Sequence, residues 1–169
     1  MGAVEVFNAM PAVRLESELL ACCAAPAWGA AITAGRPYPD RVSLLAAAQA
    51  ATDDLSWGDV AQGLAAHPRI GERAAGESRE AAWSRSEQST AARTADEATR
   101  AALVEANRAY EERFGHVFLI FAAGRTQEEI LAEASRRLGN DDRTERAVVA
   151  RELGAIAALR LERLLDGLG

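Results

Sequence analysis

Apolar residues recur at intervals of three and four along most of the chain, which is the spacing of helices that bury one side. The pattern predicts eight helices, at about residues 10–24, 28–34, 40 onward, 56–66, 78 onward, 96–114, 126–139 and 142–165. No internal repeat and no long linker separates them. We therefore expect an all-α fold in which residues 1–169 form one compact multi-helix domain.

Short polar side chains stand where several of these helices begin, and their oxygens can accept hydrogen bonds from the first helical turn. The predicted caps are Asp40 and the pairs Ser56–Asp59, Thr126–Glu129 and Asp142–Glu145. Within the helix at 96–114, the periodicity predicts that Leu103, Val104, Ala106 and Tyr110 face the interior. The charged, glycine-containing stretch at 72–78 is expected to be an exposed loop.

The segment FGHVFLIFAAG, at residues 114–124, departs from the helical pattern. It is apolar, aromatic and β-branched, which taken alone favours a buried strand. No second strand-like run is present to pair with it, and an isolated strand leaves its backbone groups unsatisfied. We therefore predict a buried, irregular connection whose unpaired N–H groups can face a ligand.

Composition narrows the class of protein. The formal net charge is −6 and no basic block stands out, so a nucleic-acid binder is not expected. Cys22 and Cys23 are adjacent and are the only cysteines, which excludes a disulfide framework and suits a reducing compartment. No apolar run approaches the roughly 20 residues of a membrane span, and no secretory signal is visible. We expect a soluble, cytoplasmic protein.

The stretch from Ala66 to Gly71 contains His67, one of only two histidines. Pro68 disfavours helical geometry at the residue before it, so His67 is expected to end the preceding helix. An imidazole exchanges protons near neutral pH, because its ordinary pKa is about 6.5. If the next helix brings Glu87 close, the two side chains form a proton-transfer pair.

The final helix carries a third candidate. Val149, Leu153 and Ile156 mark its apolar stripe, and Arg160 is the next position on that stripe. A guanidinium on an apolar face needs an anionic partner, and it can hold a carboxylate through two hydrogen bonds. One histidine, one glutamate, one arginine and a segment with spare backbone donors would suit proton transfer on a small anion.

Each candidate also has a structural interpretation. His67 can be a helix-end hydrogen bonder, Glu87 a surface residue, and Arg160 a member of a structural ion pair. We interpret His116, in the apolar segment, as a core residue or as one that supports the site. Two histidines without HxxxH or HExxH spacing do not indicate a metal site.

Five blocks occur together in one order: HPRIG at 67–71, SRSEQ at 84–88, FGHVFLIFAAGRTQEEIL at 114–131, RRLGND at 136–141, and Glu152-Leu153 followed by Leu159-Arg160-Leu161. In this combination the chain resembles the OHCU decarboxylases of purine catabolism, where OHCU is 2-oxo-4-hydroxy-4-carboxy-5-ureidoimidazoline. The resemblance runs from Phe7 to about Leu164. It implies a lyase that converts OHCU to (S)-allantoin, an all-α fold, no metal or organic cofactor, and a homodimer.

The resemblance also implies roles for individual residues. His67 would be the catalytic acid/base, with Pro68 against the substrate ring. Arg160 would anchor the anion. Ureido and ring polar groups would be bound by Ser84, Glu87 and Gln88. Ring or carboxylate oxygens would be bound by the backbone of Leu119, Ile120, Phe121, Ala122 and Ala123.

Two alternatives to this function stay open. One is a non-catalytic helical module of the same fold that binds a ureide or a protein partner, and the other is an enzyme for a related ureido acid. The presence of His67, Glu87 and Arg160 together favours the decarboxylase. One departure from the family pattern is Ser89-Thr90, where small Ala-Gly is expected, and a tightly packed turn there would shift Glu87.

Overall fold

The computed structural model describes residues 1–72, 76, 78–94 and 96–169. In this part of the chain the regular structure consists of α-helices, without a strand. The helices are α1 (Ala3–Ala9), α2 (Ala12–Cys22), α3 (Pro26–Ala34), α4 (Arg41–Asp53), α5 (Trp57–Leu64), α6 (Arg79–Glu87), α7 (Ser89–Thr94), α8 (Glu97–Phe114), α9 (Gln127–Arg137) and α10 (Asp142–Leu168). The prediction of an all-α fold is confirmed. Of the predicted loop at 72–78, residues 73–75 and 77 lie outside the described part.

The chain divides into two compact units. The first unit combines Met1–Gly63 with Leu153–Gly169, and the second is Leu64–Glu152. Helix α10 contributes residues to both. A single domain over residues 1–169 therefore stays a prediction. Among the described helices, none is both long and apolar enough to span a membrane.

The first unit packs α3 against α2 and α4. Trp28, which is 1% exposed, donates its indole N–H to the carbonyl of Ala48 at 3.2 Å, so a large buried side chain of α3 is also satisfied as a donor. On α10, a Cβ atom at Gly154 would lie 2.6 Å from Cγ2 of Thr52. Glycine at this position therefore lets α10 and α4 approach closely.

Helix α1 was not predicted from the sequence. Nη1 of Arg36 donates to the carbonyls of Phe7, Asn8 and Met10, at 3.2, 3.1 and 2.6 Å. These carbonyls lie at the C-terminal end of α1, where the last carbonyl groups of a helix have no donor within the helix. A side chain far along the chain thus supports a seven-residue helix that the local pattern does not predict.

Three of the four predicted helix caps are confirmed, namely Asp40, Ser56–Asp59 and Thr126–Glu129. The fourth prediction, Asp142–Glu145, is wrong. Asp141 accepts the amide of Thr144 at 2.7 Å instead, and Glu145 is fully buried. The glutamate therefore faces the core, where its partners are side chains rather than the helix end.

The core of the second unit joins α7, α8, α9 and the segment that follows α8. Its buried members are Ile70, Ala91, Leu103, Ala106, Tyr110, Phe118, Ile120, Ala122, Ile130 and Ala134. Of the four α8 residues that were predicted to face inward, Leu103, Ala106 and Tyr110 are buried, whereas Val104 is 70% exposed. Val104 follows Leu103 directly, and a step of one residue turns a side chain about 100° around the helix.

Candidate functional site

The turn that carries His67 begins where α5 ends. The amide of His67 donates to the carbonyl of Leu64 at 3.0 Å, which closes the last turn of the helix. Pro68 cannot continue the helix because it lacks an amide hydrogen. The predicted helix end at His67 is confirmed, and the side chains of His67 and Pro68 are half-buried.

Helix α8 holds this turn in place. Asn107, which is 7% exposed, donates its side-chain amide to the carbonyl of Ile70 at 2.8 Å. Nε of Arg69 donates to Oε1 of Glu111 at 2.7 Å. Gly71 then adopts a φ of +92°, which residues with a Cβ atom rarely adopt. This backbone conformation explains why the last residue of HPRIG is a glycine.

The second motif, SRSEQ, lies at the end of α6. Ser84 and Glu87 are three residues apart, so both side chains fall on one side of the helix. Both are 6% exposed. The interpretation of Glu87 as a surface residue is therefore wrong, and its carboxylate lies in an environment where a charge needs polar partners.

A hydrogen bond joins the two motifs. The amide of Gly71 donates to Oε1 of Gln88 at 3.1 Å. The side-chain oxygen of Gln88 therefore orients the turn that carries His67, which was not predicted. The side-chain NH₂ of Gln88 is the group that remains for a ligand.

The apolar segment at 114–124 has the irregular structure that the sequence predicts. Helix α8 ends at Phe114, and Gly115 follows with a φ of +80°. Residues 117–122 form neither a helix nor a strand. Phe118, Leu119, Ile120 and Ala122 are buried, and Phe121 and Ala123 are half-buried.

Carbonyl groups of this segment are held by arginine residues. Leu119 O accepts Nη1 of Arg137 at 2.7 Å, and Phe121 O accepts Nε of Arg125 at 3.1 Å. Ala122 O accepts the amide of Arg125 at 3.0 Å.

The backbone amides of this segment differ in whether they have a hydrogen-bond acceptor. The amide of Phe121 donates to Oε2 of Glu152 at 3.4 Å, so it is not a spare donor. For the amides of Leu119, Ile120, Ala122 and Ala123, no hydrogen-bond acceptor occurs among the described residues. The prediction of unpaired N–H groups thus applies to part of the segment.

A buried polar cluster lies behind the segment, and sequence reasoning missed it. Arg137 and Glu145 are both 0% exposed, and Nε and Nη2 of Arg137 donate to Oε1 of Glu145 at 2.8 and 2.6 Å. Oε1 also accepts the hydroxyl of Tyr110 at 2.5 Å, and Oε2 accepts Asn140 at 2.9 Å. A signal was present, because Arg137 follows Ile130 and Ala134 on the buried side of α9.

The buried cluster should make the stability of the fold depend on pH in the alkaline range. Burial, and secondarily the hydrogen bond to the Glu145 carboxylate, raise the pKa of Tyr110. A group whose pKa is higher in the folded protein stabilises the fold fully below its unfolded pKa, about 10 for tyrosine, and less as the pH rises toward the folded value. The free energy of unfolding should therefore fall above pH 10. Urea unfolding from pH 8 to 11.5 measures it.

Tyr110→Phe serves as the matched variant for this prediction. The chain contains no lysine, so few other groups titrate in this range. Burial also raises the pKa of Tyr38, which the charge of Arg36 opposes, and the pKa of the Cys23 thiol. Part of the alkaline loss should therefore remain in the variant. Equal pH dependence in both proteins would contradict the role assigned to Tyr110.

Arg160 lies in the first unit, on the stripe that the sequence predicts. Leu153 and Ile156 on this stripe are buried, and Arg160 itself is 6% exposed. Burial raises the pKa of the Cys23 thiol, while a backbone hydrogen bond at Ala25 and the charge of Arg160 act in the opposite direction. The expected burial of Arg160 is confirmed, and its role as the anion anchor stays a prediction.

Two cavities of about 580 and 480 Å³ lie beside the turn in the second unit. Neither is lined by His67, Ser84 or Glu87. Ser89 lines the larger one, so the side chain that departs from the family pattern has space and need not displace Glu87. Among the described residues, no three His, Cys, Asp or Glu side chains are grouped as a metal site requires.

Comparisons with known proteins agree on one family. The OHCU decarboxylase family model matches residues 8–162. The chain is 33% identical over 142 residues to the 2-oxo-4-hydroxy-4-carboxy-5-ureidoimidazoline decarboxylase of Amia calva, covering 83% of this chain and 81% of that protein. It is 30% identical over 153 residues to a bifunctional uric acid degradation protein of Arabidopsis thaliana, covering 89% of this chain and 47% of that protein.

Solved structures show the same likeness. A crystal structure of OHCU decarboxylase in the presence of (S)-allantoin superposes with a TM-score of 0.77 at 27% identity, covering 88% of this chain and 97% of that one. A crystal structure of (S)-allantoin synthase superposes with a TM-score of 0.68 at 19% identity, covering 96% of this chain and 53% of that one. The second match is evidence for the fold alone.

Proposed function

The chain belongs to the OHCU decarboxylase family, and from this premise we propose that it is a carboxy-lyase that converts OHCU to (S)-allantoin in urate degradation. The observation that carries the proposal is the hydrogen bond from Gly71 to Gln88. It joins the HPRIG turn to the SRSEQ helix end, so the two motifs act as one structure. A site divided between two sequence motifs needs such a link to keep its geometry.

The reaction requires little of the protein beyond positioning. The bond between the ring carbon and the carboxylate breaks, carbon dioxide leaves, and the electron pair stays on a carbon that bears a hydroxyl group. The neighbouring ring carbon carries the ureido group and is doubly bonded to a ring nitrogen, so the electron pair delocalises into that C=N bond and leaves an enol. The protein must hold the carboxylate, stabilise the developing charge, and deliver a proton to one face of the ureido-bearing carbon, while the hydroxyl group loses its proton and becomes a carbonyl of allantoin.

We assign the proton transfer to His67. Its backbone is fixed at the end of α5, while its side chain is half-buried and so accessible to a small substrate. Glu87, which is buried, would orient the substrate hydroxyl or the imidazole. The two residues act as one unit in this proposal, with Glu87 fixing the substrate and His67 handling the proton.

The remaining contacts are assigned by chemistry. Ser84 and the NH₂ of Gln88 suit the ureido and ring polar groups, and Pro68 suits the face of the ring. Arg160 suits the leaving carboxylate, because a guanidinium presents paired donors to its two oxygens. The spare amides suit ring or carboxylate oxygens. They are the backbone N–H groups of Leu119, Ile120, Ala122 and Ala123.

The proposal is tested with OHCU generated in place from urate by urate oxidase and hydroxyisourate hydrolase. The purified protein should accelerate OHCU disappearance and release one equivalent of carbon dioxide, relative to the same mixture without it. If OHCU decays at the same rate with and without the protein, the lyase is excluded. Saturable binding of allantoin under those conditions would then identify a ureide-binding module.

We also propose an oligomeric state, a location in the cell and a cofactor requirement. The family resemblance supports a homodimer and catalysis without a metal or organic cofactor. Cys22 and Cys23, which suit a reducing compartment, support a cytoplasmic location. Light scattering coupled to gel filtration measures the oligomeric state. Assays in the presence of a chelator, compared with assays without it, measure the metal requirement.

A further inference from the structure

The peptide between Leu119 and Ile120 is held by its carbonyl. A trans peptide is planar, and its C=O and N–H groups point in opposite directions. Arg36–Pro37 is the only cis peptide among the described residues, so this peptide is trans. Because Nη1 of Arg137 binds Leu119 O at 2.7 Å, it also fixes the direction in which the Ile120 amide points.

Each of the three guanidinium nitrogens of Arg137 has a hydrogen-bond acceptor. Its Nε and Nη2 bind Oε1 of Glu145, and its guanidinium lies 4.5 Å from the ring centroid of Phe118. Glu145 is in turn fixed by Tyr110 and Asn140. These contacts oppose rotation of the guanidinium, so it holds the Leu119 carbonyl in one direction.

A buried ion pair such as Arg137–Glu145 is by itself weak evidence for a role in stability. A buried ion pair can often be replaced by apolar side chains without loss of stability, because both charges must be desolvated. What apolar side chains cannot do is bind a carbonyl and orient its peptide. The Leu119 carbonyl is the one backbone group to which Arg137 donates in the described part of the chain.

The next free amide in the segment is oriented in the same way. Nε of Arg125 binds Phe121 O at 3.1 Å, and this carbonyl shares a peptide plane with the amide of Ala122. In both peptides, an arginine holds the oxygen while the hydrogen has no acceptor among the described residues. The recurrence indicates that the two N–H groups are presented to a ligand.

We propose that Arg137, held by Glu145, is a positioning residue for the decarboxylation: it aims the Ile120 amide at a substrate oxygen, and Arg125 does the same for Ala122. The inference rests on the proposed function and deepens it. An amide that is oriented before the substrate binds stabilises developing negative charge without having to reorganise during the reaction.

Arg137→Lys tests the proposal, because lysine can keep a charge beside Glu145 but has one nitrogen in place of three. We expect kcat to fall by about 10–100-fold, because removal of one oxyanion-hole donor typically costs about 10²–10³-fold and the Ile120 amide would be misdirected rather than removed. KM should change by less than about threefold, because the amide acts mainly on the transition state. The excess of one allantoin enantiomer should also fall.

Tyr110→Phe is the matched control. It removes one hydrogen bond from the same buried cluster but leaves both the Arg137–Glu145 and the Arg137–Leu119 contacts in place. It should lower Tm yet keep kcat within about twofold of the original protein. Equal kcat values per folded molecule for Arg137→Lys and Tyr110→Phe would overturn the proposal.

A substrate-free measurement separates this inference from the proposed function. In NMR spectra, the Ile120 N–H should have an order parameter near 0.85 and a defined residual dipolar coupling. In Arg137→Lys the order parameter should fall below about 0.6, with no such change in Tyr110→Phe. If Ile120 is equally ordered in all three proteins, Arg137 does not orient it, whether or not the protein decarboxylates OHCU.

If Arg137→Lys does not fold, the double variant Arg137→Met with Glu145→Gln replaces it. This variant removes both buried charges together, and so avoids leaving one of them unpaired. It should fold, lose order at Ile120 and show the same fall in kcat. Retention of both the order and the kcat would overturn the proposal.

Discussion

Replacement of His67 by asparagine is expected to lower kcat/KM for OHCU decarboxylation by about 10²–10⁴-fold, the range that a positioned acid/base supplies. Asparagine keeps a polar side chain of similar size but does not exchange protons near neutral pH. The fold should be retained, because the contact that closes α5 is made by the backbone of His67 rather than by its ring. Steady-state kinetics, with a thermal melt of each protein, measures both effects.

His116 provides the control for this substitution. It is the only other histidine, and its half-buried ring packs against Tyr110 and Phe114. His116→Asn should lower Tm through lost packing and keep kcat/KM within about threefold per folded molecule. If both variants lose activity equally, the loss does not identify His67 as the proton donor.

Replacement of Glu87 by glutamine should lower kcat/KM by about 10²-fold. The change is isosteric and removes the negative charge, so it tests whether the buried carboxylate orients the substrate or the imidazole. Because Glu87 is 6% exposed, its charge is poorly screened by water and should act strongly on a bound neighbour. The rate should fall mainly through kcat, as expected for a group that acts in the transition state.

Glu80→Gln makes the same chemical change in the first turn of the same helix. It removes a charge that favours the helix N-terminus, which is worth about 0.3–1 kcal/mol of stability, and should leave kcat/KM unchanged. Unchanged turnover in Glu87→Gln would show that the carboxylate is structural and that His67 acts without it.

Local patterns were sufficient to predict most of the helices and the caps at Asp40, Ser56 and Thr126. These features depend on interactions within a few residues of sequence, which a periodicity or a capping pair describes completely. The helix end at His67 followed for the same reason, since a proline acts on the residue directly before it.

Features that depend on distant partners could not be predicted in this way. Helix α1 is held at its C-terminal end by Arg36, whose guanidinium binds the carbonyls there. Glu145 has the sequence position of a capping residue, yet its carboxylate faces Arg137 in the core. In both cases an arginine contact made in the folded state stabilises the structure, and the local pattern does not contain it.

The candidate site also has some features that the sequence predicts and others that depend on contacts in the folded state. The family resemblance named His67, Glu87 and Gln88, but not the hydrogen bond by which Gln88 holds the turn. It named the backbone of 119–123 as one group. The structure separates the amide of Phe121, which binds Glu152, from those of Ile120 and Ala122, which are left as donors.

The most direct test of the central claim is the circular dichroism of the allantoin formed from enzymatically generated OHCU, recorded with the original protein, with His67→Asn and without protein. This site should deliver a proton to one face of the ureido-bearing carbon, so the original protein should give (S)-allantoin alone. His67→Asn and the protein-free mixture should both give racemic product. Racemic allantoin from the original protein would contradict the claim that this site directs the reaction.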